Sequence, residues 1–318
     1  MPGNAFLDLG LLGKSARWRY LLGLILSLTV WIFGSTLTML PVLLMRSLQI
    51  TGEDPLAVNG LFSLNDLNTH IPAVLMFAAV TAGFIFLILG LWLALRVFHG
   101  RSLQTLVTPH RRINWMRAGQ GALIWLLLSV LGSLVEALLY PGRYQFTFRV
   151  SEMALFLPAA LVLTPIQSSA EELLVRGYMA QMTGKITRRF MLPLLLPSLV
   201  FMLLHAANLE VGSGWGWMFA FYFGFGALLS WITFKDNGLE LALGIHTANN
   251  LFAFLFANYN GASVVSPSFF TVQTLDVTYG FFAFAVQGLI LYLVLFVFPG
   301  SSWWNRIFKG RLKKDAAC

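Results

Sequence analysis

The chain has 318 residues, 58% of them hydrophobic and only 11% charged, against about 25% charged in a soluble globular protein. That little charge cannot cover a water-facing surface, so a soluble fold is excluded and the solvent to expect is a bilayer. The net charge of +8, from 21 Lys and Arg against 13 Asp and Glu, then reads as basic loops on one membrane face, and no nucleic acid is expected as a partner.

A basic segment, residues 1–19, carries Lys14, Arg17 and Arg19. A hydrocarbon core of about 30 Å takes roughly 20 apolar residues per helix, and eight such runs follow: Tyr20 to Met45, Ile71 to Phe98, Gly119 to Tyr140, Glu152 to Met182, Pro193 to Asn208, Trp215 to Phe234, Leu239 to Asn258 and Val277 to Phe298. The first run is too long for a signal-peptide core and is expected to be retained. The longest non-basic connection, Ser47 to His70, is expected to be a solvated loop. No polar block between the runs is long enough to fold separately, so 20–298 reads as one polytopic domain, and 299–318 as a basic tail. The predicted fold is an all-α membrane bundle of eight transmembrane helices. Eight spans put both termini on one side, with 17 of the Lys and Arg residues, against three (Arg46, Arg143 and Arg149) on the other. The imbalance predicts that both ends lie in the cytoplasm, as expected for a multi-pass protein of a prokaryotic plasma membrane. The only cysteine is Cys318, so neither an internal disulfide nor a prenylation signal is expected.

A charge in mid-span costs about 2.5 to 3.5 kcal/mol, so charges there require a reason. Glu136, Glu152, Lys235 and Glu240 lie near span ends and can extend to the interface. Glu171, Glu172 and Arg176 in the fourth run, His205 in the fifth and His246 in the seventh cannot. Glu172 and Arg176 share a helix face at i and i+4 and can form an ion pair, while Glu171 points about 100° away. Phe201 and His205 have the same i, i+4 spacing, as do His246 and Asn250, with Gly244 nearby to admit a close neighbour. Taken singly, each pair reads as a packing salt bridge or interhelical hydrogen bonding. Together they supply a base, an orienter and oxyanion donors for water attack on a carbonyl. Glu171 with His205 could polarise a water, and His246 with Asn250 could donate to the oxyanion. A second arrangement makes Glu171, His205 and His246 a zinc site with the other carboxylate as base; the sequence leaves the zinc and metal-free versions equally open. Ser213 and Ser263 read as turn residues.

These motifs, Glu-Glu-x-x-x-Arg at Glu171, Glu172 and Arg176, Phe-x-x-x-His at Phe201 and His205, and His-x-x-x-Asn at His246 and Asn250, resemble the CAAX protease and bacteriocin-processing enzyme family (CPBP). That family includes type II CAAX prenyl endopeptidases and Abi-type bacterial proteins. The motif-bearing core is 152–258. The resemblance implies an eight-helix membrane endopeptidase in which Glu171 and His205 activate water, Glu172 and Arg176 support them, and His246 and Asn250 hold the oxyanion. Its partners would be membrane lipid and a membrane-associated or lipidated peptide, cut near the cytoplasmic face, with CAAX processing as one form. A transporter or immunity-type membrane partner using the same polar cluster is the competing expectation. If the fifth helix starts its membrane part at Pro197, His205 and His246 come to similar depths, predicting a tapered site open to the cytoplasm with Lys185 to Phe190 in the interface.

Overall fold

The computed structural model describes residues 4–49, 63–187 and 190–298. The basic tail, most of the 47–70 connection and residues 188–189 of the interfacial stretch lie outside them. Each apolar run becomes a helix: α1 Arg17–Gln49, α2 Ala73–Ala94, α3 Trp115–Leu139, α4 Val150–Glu172, α5 Met191–Leu204, α6 Trp215–Asp236, α7 Glu240–Leu251 and α8 Val277–Tyr292. Four of these, α2, α4, α7 and α8, continue as wider turns of five to seven residues, of which Leu173–Met179 after α4 leads into a last stretch, Ala180–Ile186.

Six of the helices are long and apolar enough to cross a membrane. The exceptions are α5, with 14 residues, and α7, with 12, which rise only about 21 and 18 Å. Their shortness follows from their surroundings. Leu239 to His246 are all buried, so α7 begins inside protein and has no lipid layer of its own to cross.

The packing of α3 on α7 depends on small residues, as helix contacts in membranes do. A methyl group at Gly244 would meet the Ala118 carbonyl, and one at Gly121 would come 2.6 Å from the Leu241 carbonyl. The close neighbour expected at Gly244 is therefore α3.

The two ends of the bundle differ. At the end holding the N-terminus, Asn4 caps the short helix Ala5–Asp8 and donates to the Phe234 carbonyl at 2.8 Å, while Phe6 is fully buried. Leu239 N donates to Val107 O at 2.8 Å, Asn114 N donates to Glu240, and Arg117 pairs with Asp236. The opposite end carries a three-stranded sheet, β1 (Tyr144–Phe146), β2 (Ala257–Tyr259) and β3 (Phe270–Val272), that the all-α reading did not contain. Its order is β1-β3-β2, antiparallel then parallel, with Tyr144 opposite Val272 and Ala257 opposite Phe270. Strands of three residues are too short to announce themselves by alternation. Here Glu136 finds partners instead of extending to water, accepting from Arg143 at 2.7 Å and from the Tyr144 hydroxyl at 2.6 Å. Arg46 clamps Asp66 with two bonds, tying α1 to the short helix Leu64–His70.

Candidate active site

The mid-span charges meet where α4, α5, α6 and α7 converge. In α4, Pro165 removes one backbone donor, and the helix widens directly after Glu172, a feature that recurs at functional sites. Glu172 Oε1 accepts from Arg176 Nη1 at 2.8 Å and from His246 Nδ1 at 2.7 Å. The expected ion pair therefore exists, fully buried, and it also orients a histidine of another helix. The Arg176 guanidinium lies 4.4 Å from the centre of the Phe201 ring, which is itself 4.4 Å from the His205 ring and 5.8 Å from the His246 ring. Phe201 thus spaces the cation from both imidazoles.

Glu171 turns away from this pair, as the helix period requires. Its Oε1 accepts from Gln167 Nε2 at 3.3 Å. Its Oε2 has no hydrogen-bond partner and faces His246 Nε2 at 3.7 Å and His205 Nε2 at 4.0 Å. Both imidazoles are held from behind, since Nδ1 of His205 lies 2.8 Å from the Phe201 carbonyl and Nδ1 of His246 lies on Glu172. Both of those partners are acceptors, so each Nδ1 carries the proton and each Nε2 points at Glu171. A neutral Nε2 accepts; a protonated ring donates from it as well. A water giving one proton to each of two acceptors at about 2.8 Å separates them by about 4.4 Å, close to the Glu171 to His205 gap.

Zinc with bonds of about 2.0 Å needs donor atoms about 3.3 Å apart. The distances of 3.7 and 4.0 Å exceed that, and no three His, Cys, Asp or Glu side chains gather into a metal-holding group among the described residues. The set Glu171, His205 and His246 is brought together, but not as a zinc site.

The α5 helix begins at Met191 after Phe190, and Pro193 occupies the first turn, where its missing N–H has no intrahelical partner to lose. His205 folds its ring back to Phe201, and α7 starts from a buried Leu239. Burial distinguishes two sides of the site. Glu172 to Gln181 and Leu239 to His246 are buried throughout, which closes the side toward the N-terminal end. Exposure begins at the Glu171 and His205 side chains, 11% and 21% exposed against 3% for His246 and none for Glu172, and continues through Ala206 and Ala207.

Behind His205 stands a group that the sequence did not single out. Tyr222 of α6 stacks on the imidazole at 4.5 Å and donates to Glu210 Oε1 at 2.7 Å. Asn208 donates to the same oxygen at 3.0 Å, and Ser263 donates to Oε2 through N at 3.2 Å and Oγ at 2.6 Å. Burial pushes the Glu210 carboxyl up, but bonds from Ser263, its own backbone and Tyr222 outweigh this and leave it below its ordinary value. Ser263 is thus more than a turn residue, since it fastens the loop after His205. Helical spacing could have flagged Gln167, one turn before Glu171; nothing in the sequence links Glu210 to Tyr222 or Ser263. Asn250 follows His246 by one turn and donates to Ser168 Oγ at 3.4 Å. Of the three other histidines, His99 is bonded to Tyr178 and His70 lies beside Asp66.

Residues 150–252, which hold every one of these motif residues, match the family described as type II CAAX prenyl endopeptidase Rce1-like. The chain is also 30% identical over 297 residues to the uncharacterized protein YyaK of Bacillus subtilis (strain 168), spanning 92% of this chain and 93% of that one. No solved structure matches it. With its motif helices matched and a relative covering nearly its whole length, the chain belongs to the Rce1-like family of type II CAAX prenyl endopeptidases.

Proposed function

We propose that this protein is an integral membrane endopeptidase that hydrolyses a peptide bond with a water activated by Glu171 and His205. The observation that carries the reading is the placement of Glu171 Oε2, on a side chain 11% exposed and facing two imidazole nitrogens at 3.7 and 4.0 Å. Glu171 takes one proton as the water oxygen bonds to the carbonyl carbon, and the carbonyl oxygen becomes an oxyanion. Asn250 Nδ2 and a protonated His246 donate to that oxyanion. When the C–N bond breaks, the proton on Glu171 passes to the leaving nitrogen, so the products are an acid and an amine and Glu171 is regenerated. Glu172 and Arg176 support the reaction from behind by fixing His246. A transport role would call for polar side chains at many depths, whereas here they gather around one carboxylate.

The basic imbalance supports an eight-helix arrangement with both ends in the cytoplasm. In that orientation the exposed edge at His205 to Ala207 faces away from the cytoplasmic end, so the substrate enters from within the bilayer or from the sheet end. This favours a membrane-embedded or lipidated segment over a bond presented by the cytoplasm. Fusing a reporter that matures only in the cytoplasm to the C-terminus tests the orientation.

The function is tested with purified protein in nanodiscs and quenched fluorescent peptides, farnesylated C-a-a-X and membrane-spanning. Cleavage by wild type should fall about 10²- to 10⁴-fold in Glu171→Ala and His205→Ala, and exhaustive chelation should leave it unchanged. Cleavage surviving both substitutions, or no cleavage of either peptide, overturns the reading.

A further inference from the structure

Asn250 is useful as an oxyanion donor only if its NH₂, and not its carbonyl, faces the reacting groups. The two ends of an amide have nearly the same shape, so packing alone does not choose between them; hydrogen-bond polarity does. The choice is made two residues away, on another helix. Trp125 of α3 is 1% exposed, and its indole Nε1 lies 3.2 Å from Asn249 Oδ1. An indole N–H can only donate, so the Asn249 atom facing it must be the carbonyl oxygen. The Asn249 NH₂ is then turned to Asn250, where it donates to Oδ1 at 3.1 Å. With its oxygen occupied, Asn250 presents its NH₂ on the far side, toward Ser168 Oγ at 3.4 Å. That last bond is long, leaving a donor that a better acceptor can capture.

We propose that Trp125 and Asn249 are positioning residues that fix the amide polarity of Asn250, so that an N–H donor and never a carbonyl oxygen meets the developing oxyanion. The proposal rests on the oxyanion role given above to Asn250. It also accounts for the close approach of α3 to α7. A side chain at Gly244, where α7 meets the Ala118 carbonyl, would push the two helices apart, carrying Trp125 away from Asn249. The relay runs along that same contact, one turn after Gly121 on α3 and one turn after Ile245 on α7.

The decisive variant is Asn249→Asp, which keeps the size of the side chain and still accepts from Trp125 but cannot donate. Facing two acceptors, Asn250 has to rotate its amide and turn its oxygen toward the site. With the full chain in nanodiscs and the farnesylated peptide, kcat should drop about 10²- to 10³-fold, the loss expected for one oxyanion donor, with KM changed less than threefold. Asn250→Ala should lose as much, and the double variant should lose no more than either alone, because both act through one bond. An inactive Asn250→Ala beside a fully active Asn249→Asp, or losses that multiply in the double variant, overturns the relay. A fully active Asn250→Ala instead removes the oxyanion assignment beneath it. A readout independent of turnover is the side-chain amide resonance of Asn250 in ¹⁵N-asparagine-labelled protein. Trp125→Phe, which keeps a ring but has no N–H, should shift it while the protein stays folded, and an unshifted resonance contradicts the proposal.

Discussion

From Glu172 to Gln181 in α4 and its continuation, and from Leu239 to His246 in α7, every residue is buried, whereas Gln167, His205 and Asn250, about one turn away, are partly exposed. The boundary between the two regions falls within one dipeptide. Glu172 belongs to the closed region, with a cation and an imidazole on one oxygen and no exposure. Glu171 stands at the edge of the open one, with a side chain 11% exposed and an oxygen turned to two imidazoles. One backbone step of about 100° separates a carboxylate tied to Arg176 and His246 from the one that we propose activates water. The closed region lies directly behind Glu171, so that His246 is bonded to Glu172 and still faces Glu171.

Breaking the closed region should have the largest effect. Arg176→Ala takes the guanidinium partner from the fully buried Glu172, a break that costs about 3–5 kcal/mol, and thermal unfolding in detergent should reveal it. Replacing both partners with apolar residues of similar volume, Glu172→Leu with Arg176→Met, should recover most of that loss, although His246 loses its anchor and turnover does not return. A single-variant loss below about 1 kcal/mol would mean that water enters this region.

Disturbing the staple behind the open region should cost less. Glu210→Gln turns an amide donor or a weaker acceptor toward the Ser263 N–H and should cost about 1–3 kcal/mol at neutral pH. The pH dependence has a definite sign. Because the folded carboxyl of Glu210 lies below its ordinary value of 4.5, its contribution is complete above that value and is lost as the pH falls through the lower folded value. The difference in unfolding temperature between wild type and Glu210→Gln should therefore shrink on the acid side; a difference that grows there would reverse the assignment. The smallest effect belongs to Arg149→Ala. This removes an exposed pair with Glu152, 74% and 52% exposed, and should leave stability unchanged, since such pairs contribute little.

What the sequence made legible follows the helix period. The eight apolar runs and the i, i+4 pairs Glu172 with Arg176, Phe201 with His205, and His246 with Asn250 depend only on local geometry, and the structure places them as that geometry requires. Lengths were harder to read, because a helix shielded by its neighbours can be as short as α7. Pro193 and Pro197 suit a first turn equally well, so the start of α5 could not be chosen from them. Contacts between distant segments left no trace at all. The bonds of Glu210 to Tyr222 and Ser263, of Trp125 to Asn249, and of β1 to β3 each join residues whose spacing carries no pattern. The direction of the opening belongs to this group, because it depends on which stretches are covered by the rest of the bundle.

The division between the two carboxylates is tested most directly by measuring unfolding temperature and kcat together for Glu171→Gln and Glu172→Gln, each nearly isosteric with the native side chain. Glu171→Gln should unfold at or above the wild-type temperature, because it removes an unsatisfied buried charge, and should lose at least about 10²-fold in kcat. Glu172→Gln should unfold several degrees lower. A Glu171→Gln protein that cleaves at the wild-type rate, or one as destabilised as Glu172→Gln, would contradict the account.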